Sequence, residues 1–259
     1  SNQIFKFSFT TDGNASDIAN LTMARHKPSA QSSKAHGYTT GGSPANNIID
    51  KFTFAADADA TDVGDLLANN SYAGGNSSST HGYMTGGSAP YANAIQKFTF
   101  AADANSTDGG DLSSDRSDSI GAQGGDYGYA SWGNASYNYI DKFSFVTDAN
   151  ATDVGDLTVA RSGSAGQSSA TYGYAAGGAS GNVIDKFSFA SNGNATDVGD
   201  LTRTNNNIAG QSSLTYGYSC GGDGNWTVTI DKFAYASDAN ATDVGDLPEE
   251  KGYFQGHSY

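Results

Sequence analysis

The stretch Ile140-Asp-Lys-Phe-Ser-Phe-Val-Thr-Asp-Ala-Asn-Ala-Thr-Asp-Val-Gly-Asp-Leu157 decides how the rest of the chain is read. Its first half alternates as a strand does, placing Phe143 and Phe145 on one face and Ile140 and Lys142 on the other. Asp148 and Asn150 then supply turn chemistry, because both accept local backbone hydrogen bonds and tolerate left-handed geometry. The segment 152–157 returns as a second strand. The stretch is a hairpin.

Working outward, the same wording recurs through the chain. The pair Lys-Phe stands at Lys6-Phe7, Lys51-Phe52, Lys97-Phe98, Lys142-Phe143, Lys186-Phe187 and Lys232-Phe233, with spacings of 45, 46, 45, 44 and 46 residues. Between hairpins runs a second conserved phrase, Ala-Gly-Gln-Ser-Ser at 165–169 and Tyr-Gly-Tyr-Ala-Ala-Gly-Gly at 172–178. Each unit therefore predicts four short antiparallel strands, a to d, and no stretch carries helical periodicity. Apolar residues on both faces of the Ile-Asp-Lys-Phe-Ser-Phe strand predict a sheet covered on both sides, the lysine stem packing while its head reaches a rim. The small residues of Ala-Gly-Gln-Ser-Ser suit the innermost strand, where the units crowd an axis.

A diglycine after an aromatic strand, then a strand of hydrophobic-charged-charged-aromatic wording, resembles the kelch repeat of the galactose-oxidase-like propeller superfamily. The diglycines are Gly41-Gly42, Gly86-Gly87, Gly177-Gly178 and Gly221-Gly222; the unit holding Tyr129 departs, with Ser131-Trp132-Gly133. The outer-strand tryptophan usual in kelch repeats is replaced by Val63, Val154, Val198 or Val244, which marks a divergent, kelch-like branch. The resemblance covers the whole chain. It implies an all-β fold, a six-bladed propeller in one domain (1–259), with four antiparallel strands per blade and strands a to d running outward from the axis. The ring is expected to close by mixing N- and C-terminal strands in one blade, which removes free edges. Strand accounting leaves that blade one short, so one strand is expected to be missing, irregular or supplied from elsewhere.

Composition narrows the function. The 259 residues are 37% hydrophobic and 12% aromatic, with 34 glycines and 4 prolines, so the chain must fold around an aromatic and small-residue core. Twenty-seven acidic against 13 basic residues give a net charge of −14, which repels phosphate backbones; the densest basic spot, Arg25-His26-Lys27, is one loop. Nucleic acid is an unexpected partner, and an acidic chain poor in lysine suits a salty medium. Cys220 stands alone and reads as a small buried hydrophobe. No apolar run reaches the ~18 residues of a membrane span. No signal-type segment opens the sequence, which reads as a processed or ordered part of something longer.

Strand alternation puts the a–b and c–d turns on one face of the ring and the b–c and d–a loops on the other. The c–d turns are near copies, whereas the b–c loops (43–47, 88–94, 134–139, 179–183, 223–229) and d–a loops (24–27, 69–72, 115–118, 203–207, 249–251) differ. Free drift should loosen the c–d turns as well, so the variable face is expected to recognise a ligand. Its aromatics Tyr72, Tyr91, Tyr137, Tyr139 and Trp226 and its forked donors Arg25, Arg116, Arg161 and Arg203 suit glycan or protein contacts. The Asp148, Asn150 and Asp153 oxygens suggest calcium as an alternative to ordinary turns, without the glycine and terminal glutamate of an EF-hand. Asn150-Ala-Thr152 and Asn225-Trp-Thr227 are glycosylation triplets only in a eukaryotic secretory setting.

Catalysis has little support: the histidines at 26, 36, 81 and 257 fall in no HExxH pattern, and neither CxxC nor GxSxG occurs. No enzyme activity and no cofactor are expected. The Gly/Ser/Thr/Asn-rich repeats are also similar to those of marine tailed-phage virion proteins. That resemblance implies an extracellular or virion-associated tail or fibre component, attaching to a host-surface glycan or to another virion protein. A secreted bacterial lectin-like adhesin and an intracellular kelch scaffold holding a peptide are the alternatives.

Overall fold

The computed structural model describes residues 1–88, 90, 92–131, 137–179, 181–223 and 227–257. They form five four-stranded antiparallel sheets and one two-stranded sheet, every sheet pairing its strands in chain order. In blade IV, strand a is Ala165–Ser168, b is Tyr172–Ala176, c is Val183–Ser188 and d is Thr196–Asp200. Blades I (29–70), II (74–111), III (120–156) and V (209–246) repeat this plan. The two-stranded sheet pairs Gln3–Lys6 with Ser16–Asn20, as strands c and d pair elsewhere. The result is a β-propeller of four-stranded antiparallel blades.

Two kinds of glycine let the blades stack. At the centre, a Cβ on Gly75, Gly121, Gly166, Gly210 or Gly256 would lie 1.9–2.3 Å from the carbonyl oxygen of the matching residue one blade back. Only a bare backbone fits there. In strand b, a Cβ on Gly37, Gly82, Gly128, Gly173 or Gly217 would meet the phenylalanine ring of strand c at 2.3–2.4 Å. The tyrosine after each of these glycines crosses to the next blade and stacks on an aromatic of its strand c region. The ring centroids lie 4.9 Å apart for Tyr38–Phe100, 4.7 Å for Tyr83–Phe145 and 4.8 Å for Tyr129–Phe189. They lie 4.8 Å apart for Tyr174–Tyr235 and 5.0 Å for Tyr218–Phe9. These rings, with Ile49, Ile95, Ile140, Ile184 and Ile230, make the inter-blade core.

The c–d turns also join blades. Five of the six strand c lysines reach the turn of the next blade: Lys51 to Asp103, Lys97 to Asp148, Lys186 to Asp238 and Lys232 to Asp12, all at 2.5 Å, and Lys6 to Asp57. Blade IV carries Asn192 at that place, and Lys142 instead sits 4.1 Å from the Tyr127 ring centroid. Two residues further on, the side chains of Asn105, Asn150, Asn194, Asn240 and Asn14 accept from the strand d amides of Asp65, Asp111, Asp156, Asp200 and Asp246 in the preceding blade at 3.0–3.1 Å. The c–d turns are near copies because packing holds them, so their uniformity does not measure free drift. This removes one premise for reading the variable face as a recognition surface.

The same contacts place the two-stranded sheet between blades V and I. The Ala15 amide donates to the Asp246 carbonyl at 2.8 Å, and the Ala60 amide donates to the Asn20 carbonyl at 2.8 Å. Residues 253–257 lie inside this sheet without forming a strand. The His257 ring touches the Gln31 carbonyl and the Thr39 hydroxyl of blade I, each at 3.1 Å, and the Phe52 ring at 5.0 Å. The shortfall is larger than expected: among the described residues no C-terminal strand joins this sheet, which lacks both inner strands rather than one, and Gln3–Lys6 has a strand partner on one edge only.

Candidate functional site at the axial mouth

Each d–a loop must turn the chain from the rim back to the axis. It does so six residues after the strand d leucine, where Lys27, Tyr72, Asp118, Gly163, Asn207 and Tyr253 all have φ between 51° and 66°. Five of these are not glycine, and left-handed backbone there costs about 1 kcal/mol or more each. The six positions encircle one end of the axis. Backbone bonds link neighbours: Lys27 donates to Tyr253 at 2.6 Å, Tyr72 to Lys27 at 3.1 Å, Asp118 to Tyr72 at 2.7 Å and Tyr253 to Asn207 at 3.2 Å.

The side chains gather over a small mouth with Ile120, Ile208 and Phe254 among its lining. The Lys27 ammonium lies 2.7 Å from Asp118 and over two rings, 4.1 Å from the Tyr72 centroid and 4.7 Å from that of Tyr253. Asn207 donates to Asp223 of a b–c loop at 2.9 Å. A hydrogen bond with Asp223, together with burial, pushes the Tyr253 phenol up to about 12, so it stays a neutral donor. The mouth thus carries one cation, two carboxylates, an amide and two phenols. Such a set can exchange hydrogen bonds with a hydroxyl-rich ligand and cover its apolar faces. Further along the axis, a polar channel of about 110 Å³ is lined by Gln31, Ser77, Gln123, Ser168 and Ser212 among others.

No family model matches the chain, and no curated protein does. Among solved structures, that of YjhT superposes with a TM-score of 0.75 at 10% identity, covering 91% of this chain and 88% of that one. The shared fold is a β-propeller. At this identity the likeness carries no more than the fold.

Of the residues singled out in the sequence, Tyr72 enters the mouth. Tyr137 and Tyr139 pair with each other, centroids 5.5 Å apart, and Arg203 is exposed on a d–a loop. Tyr91 and Trp226 lie outside the described residues.

Arg25, Arg116 and Arg161 are not surface donors: their side chains are 0–1% exposed. Each guanidinium reaches between blades to a buried strand c carboxylate, Arg25 to Asp50, Arg116 to Asp141 at 2.6 Å and Arg161 to Asp185. A Thr or Ser three residues earlier donates to the same carboxylate through its amide and hydroxyl. The substitutions move together. Where strand c has Gln96, its side chain accepts from the Leu67 amide, and Asn70 stands at the arginine position and donates to the Gly86 carbonyl; where it has Phe5, Pro248, which lacks an N–H, and Lys251 over the Phe5 ring take the two places. Asp231 keeps Thr202, with Asn205 at the arginine position, and burial pushes its carboxyl above the usual range. Alignment of the six repeats holds this signal, and reading arginines as surface donors obscured it.

The calcium alternative meets other partners too. Asp148 holds Lys97, Asn150 accepts from Asp111, and Asp153 accepts from the Gly155 amide at 3.2 Å. Three oxygens committed to three separate donors do not converge on a cation. Cys220 is buried beside Gln211, its thiol raised by burial.

Proposed function

We propose that this chain is a non-enzymatic, six-bladed recognition propeller that binds its ligand at the mouth formed by the d–a and b–c loops. In this reading the two-stranded sheet and residues 253–257 form the sixth blade. The observation that carries it is the ring of six left-handed positions, which holds strained non-glycine residues where glycine would cost least and brings Lys27, Tyr72, Asp118 and Tyr253 together. The ligand class is a surface glycan or a protein segment rich in hydroxyl and amide groups, and the phage-like wording of the repeats favours a virion-associated host-attachment component. The −14 charge supports an uncharged or cationic partner over a polyanion.

Glycan-array binding by the intact chain tests this. Tyr72→Ala and Lys27→Ala should each lower binding at least tenfold, while Asp148→Ala, on the opposite face, leaves it unchanged. Equal binding by all three variants would assign the ligand elsewhere.

A further inference from the structure

The two-stranded sheet exposes what every other blade covers. Ile49, Ile95, Ile140, Ile184 and Ile230 are 0–1% exposed, yet their counterpart Ile4 is only half-buried. The strand d leucines 66, 112, 157, 201 and 247 are buried, while Leu21 is half-buried. Phe5 and Phe7 are half-buried as well, where their counterparts in the five blades are buried. In the five blades strand b covers this surface, and in four of them a diglycine follows it. Among the described residues, Gln3–Lys6 makes no ladder on that side.

Five filled copies of this position define what fits the open one. A glycine must lie opposite Phe7, as Gly173 lies opposite Phe187. A tyrosine must follow, opposite Lys6, as Tyr174 lies opposite Lys186, then small residues opposite Phe5 and Ile4. Two glycines with positive φ must then follow, the first against Leu21 as Gly177 lies against Leu201 and the second continuing the turn as Gly178 does.

We propose that this edge binds an extended strand of the pattern aromatic-Gly-Tyr-small-small-Gly-Gly presented by a partner protein, and that the strand completes the blade by antiparallel pairing with Gln3–Lys6. The backbone ladder supplies affinity and the Gly–Phe7 contact supplies selectivity. The proposal rests on the six-blade reading.

The test is titration of the intact protein with a synthetic peptide of residues 171–178, Thr-Tyr-Gly-Tyr-Ala-Ala-Gly-Gly, followed by calorimetry and amide exchange. The peptide should bind one to one and slow exchange of the Gln3–Lys6 amides that do not bond to Ser16–Asn20. A peptide with valine for its first glycine should bind at least tenfold more weakly, and Phe7→Ala in the protein should restore part of that loss. Absence of binding, equal binding of the valine peptide, or amides already protected in the free protein would overturn the proposal. A failure of the six-blade reading is read separately, from the distance between Ser16 and Thr242.

Discussion

At the residue scale, the buried acid positions are the most informative. Arg161 and Asp185 are both nearly unexposed, and removing one partner of such a pair strands the other's charge. Arg161→Ala should therefore cost about 3–5 kcal/mol in urea unfolding. Asp231 shows the converse. Its folded pKa is raised, so the ionised form at neutral pH works against folding, and the penalty disappears as pH falls below that value. Asn205 stands where other blades carry arginine and already donates to the Gly221 carbonyl, as Arg161 does to Gly177. Asn205→Arg should stabilise the protein at pH 7 by about 1–2 kcal/mol, with the gain shrinking as Asp231 is protonated. Equal or lower stability than the parent at pH 7 would show that Asp231 has no need of a guanidinium.

At the element scale, backbone proximity around the axis governs which residues an inner strand accepts. Gly166 has the Gly121 carbonyl oxygen 2.3 Å from its missing Cβ, a contact that only blade movement can relieve. Gly166→Ala should cost about 1–3 kcal/mol by overpacking, seen as a lowered melting temperature. The strand pattern was legible because alternation and turn residues repeat six times. The inner position of Ala-Gly-Gln-Ser-Ser was legible from size alone. The use of the c–d turns was not, since Asp148 and Asn150 suit a free hairpin turn as well as a bridge to blade II. The mouth was legible only through Tyr72, because left-handed backbone at Lys27 and Tyr253 contradicts local preference.

At the scale of the whole molecule, closure falls to residues near the C-terminal end. His257 takes the place held by Gln31, Gln167 and Gln211 in other blades and bridges to blade I. Burial pulls its imidazole pKa down to about 4. The neutral ring is the form the fold accepts, so its contribution is full above about 6.5 and is lost as pH falls toward about 4. The loss is at most about 3 kcal/mol from this group. His257→Gln should flatten that part of the stability profile without lowering stability at pH 7. A steep loss retained in the variant would assign the acid sensitivity to other groups.

Ring closure itself is measured most directly with spin labels at Ser16→Cys and Thr242→Cys in a Cys220→Ser background. Both sites are exposed and lie within four residues of the contact between Ala15 and Asp246. Four residues of strand span roughly 13 Å, so the closed ring predicts one narrow distance of about 20 Å or less. A long or broad separation, as in an open linear stack of blades, would contradict the closed ring and the mouth built upon it.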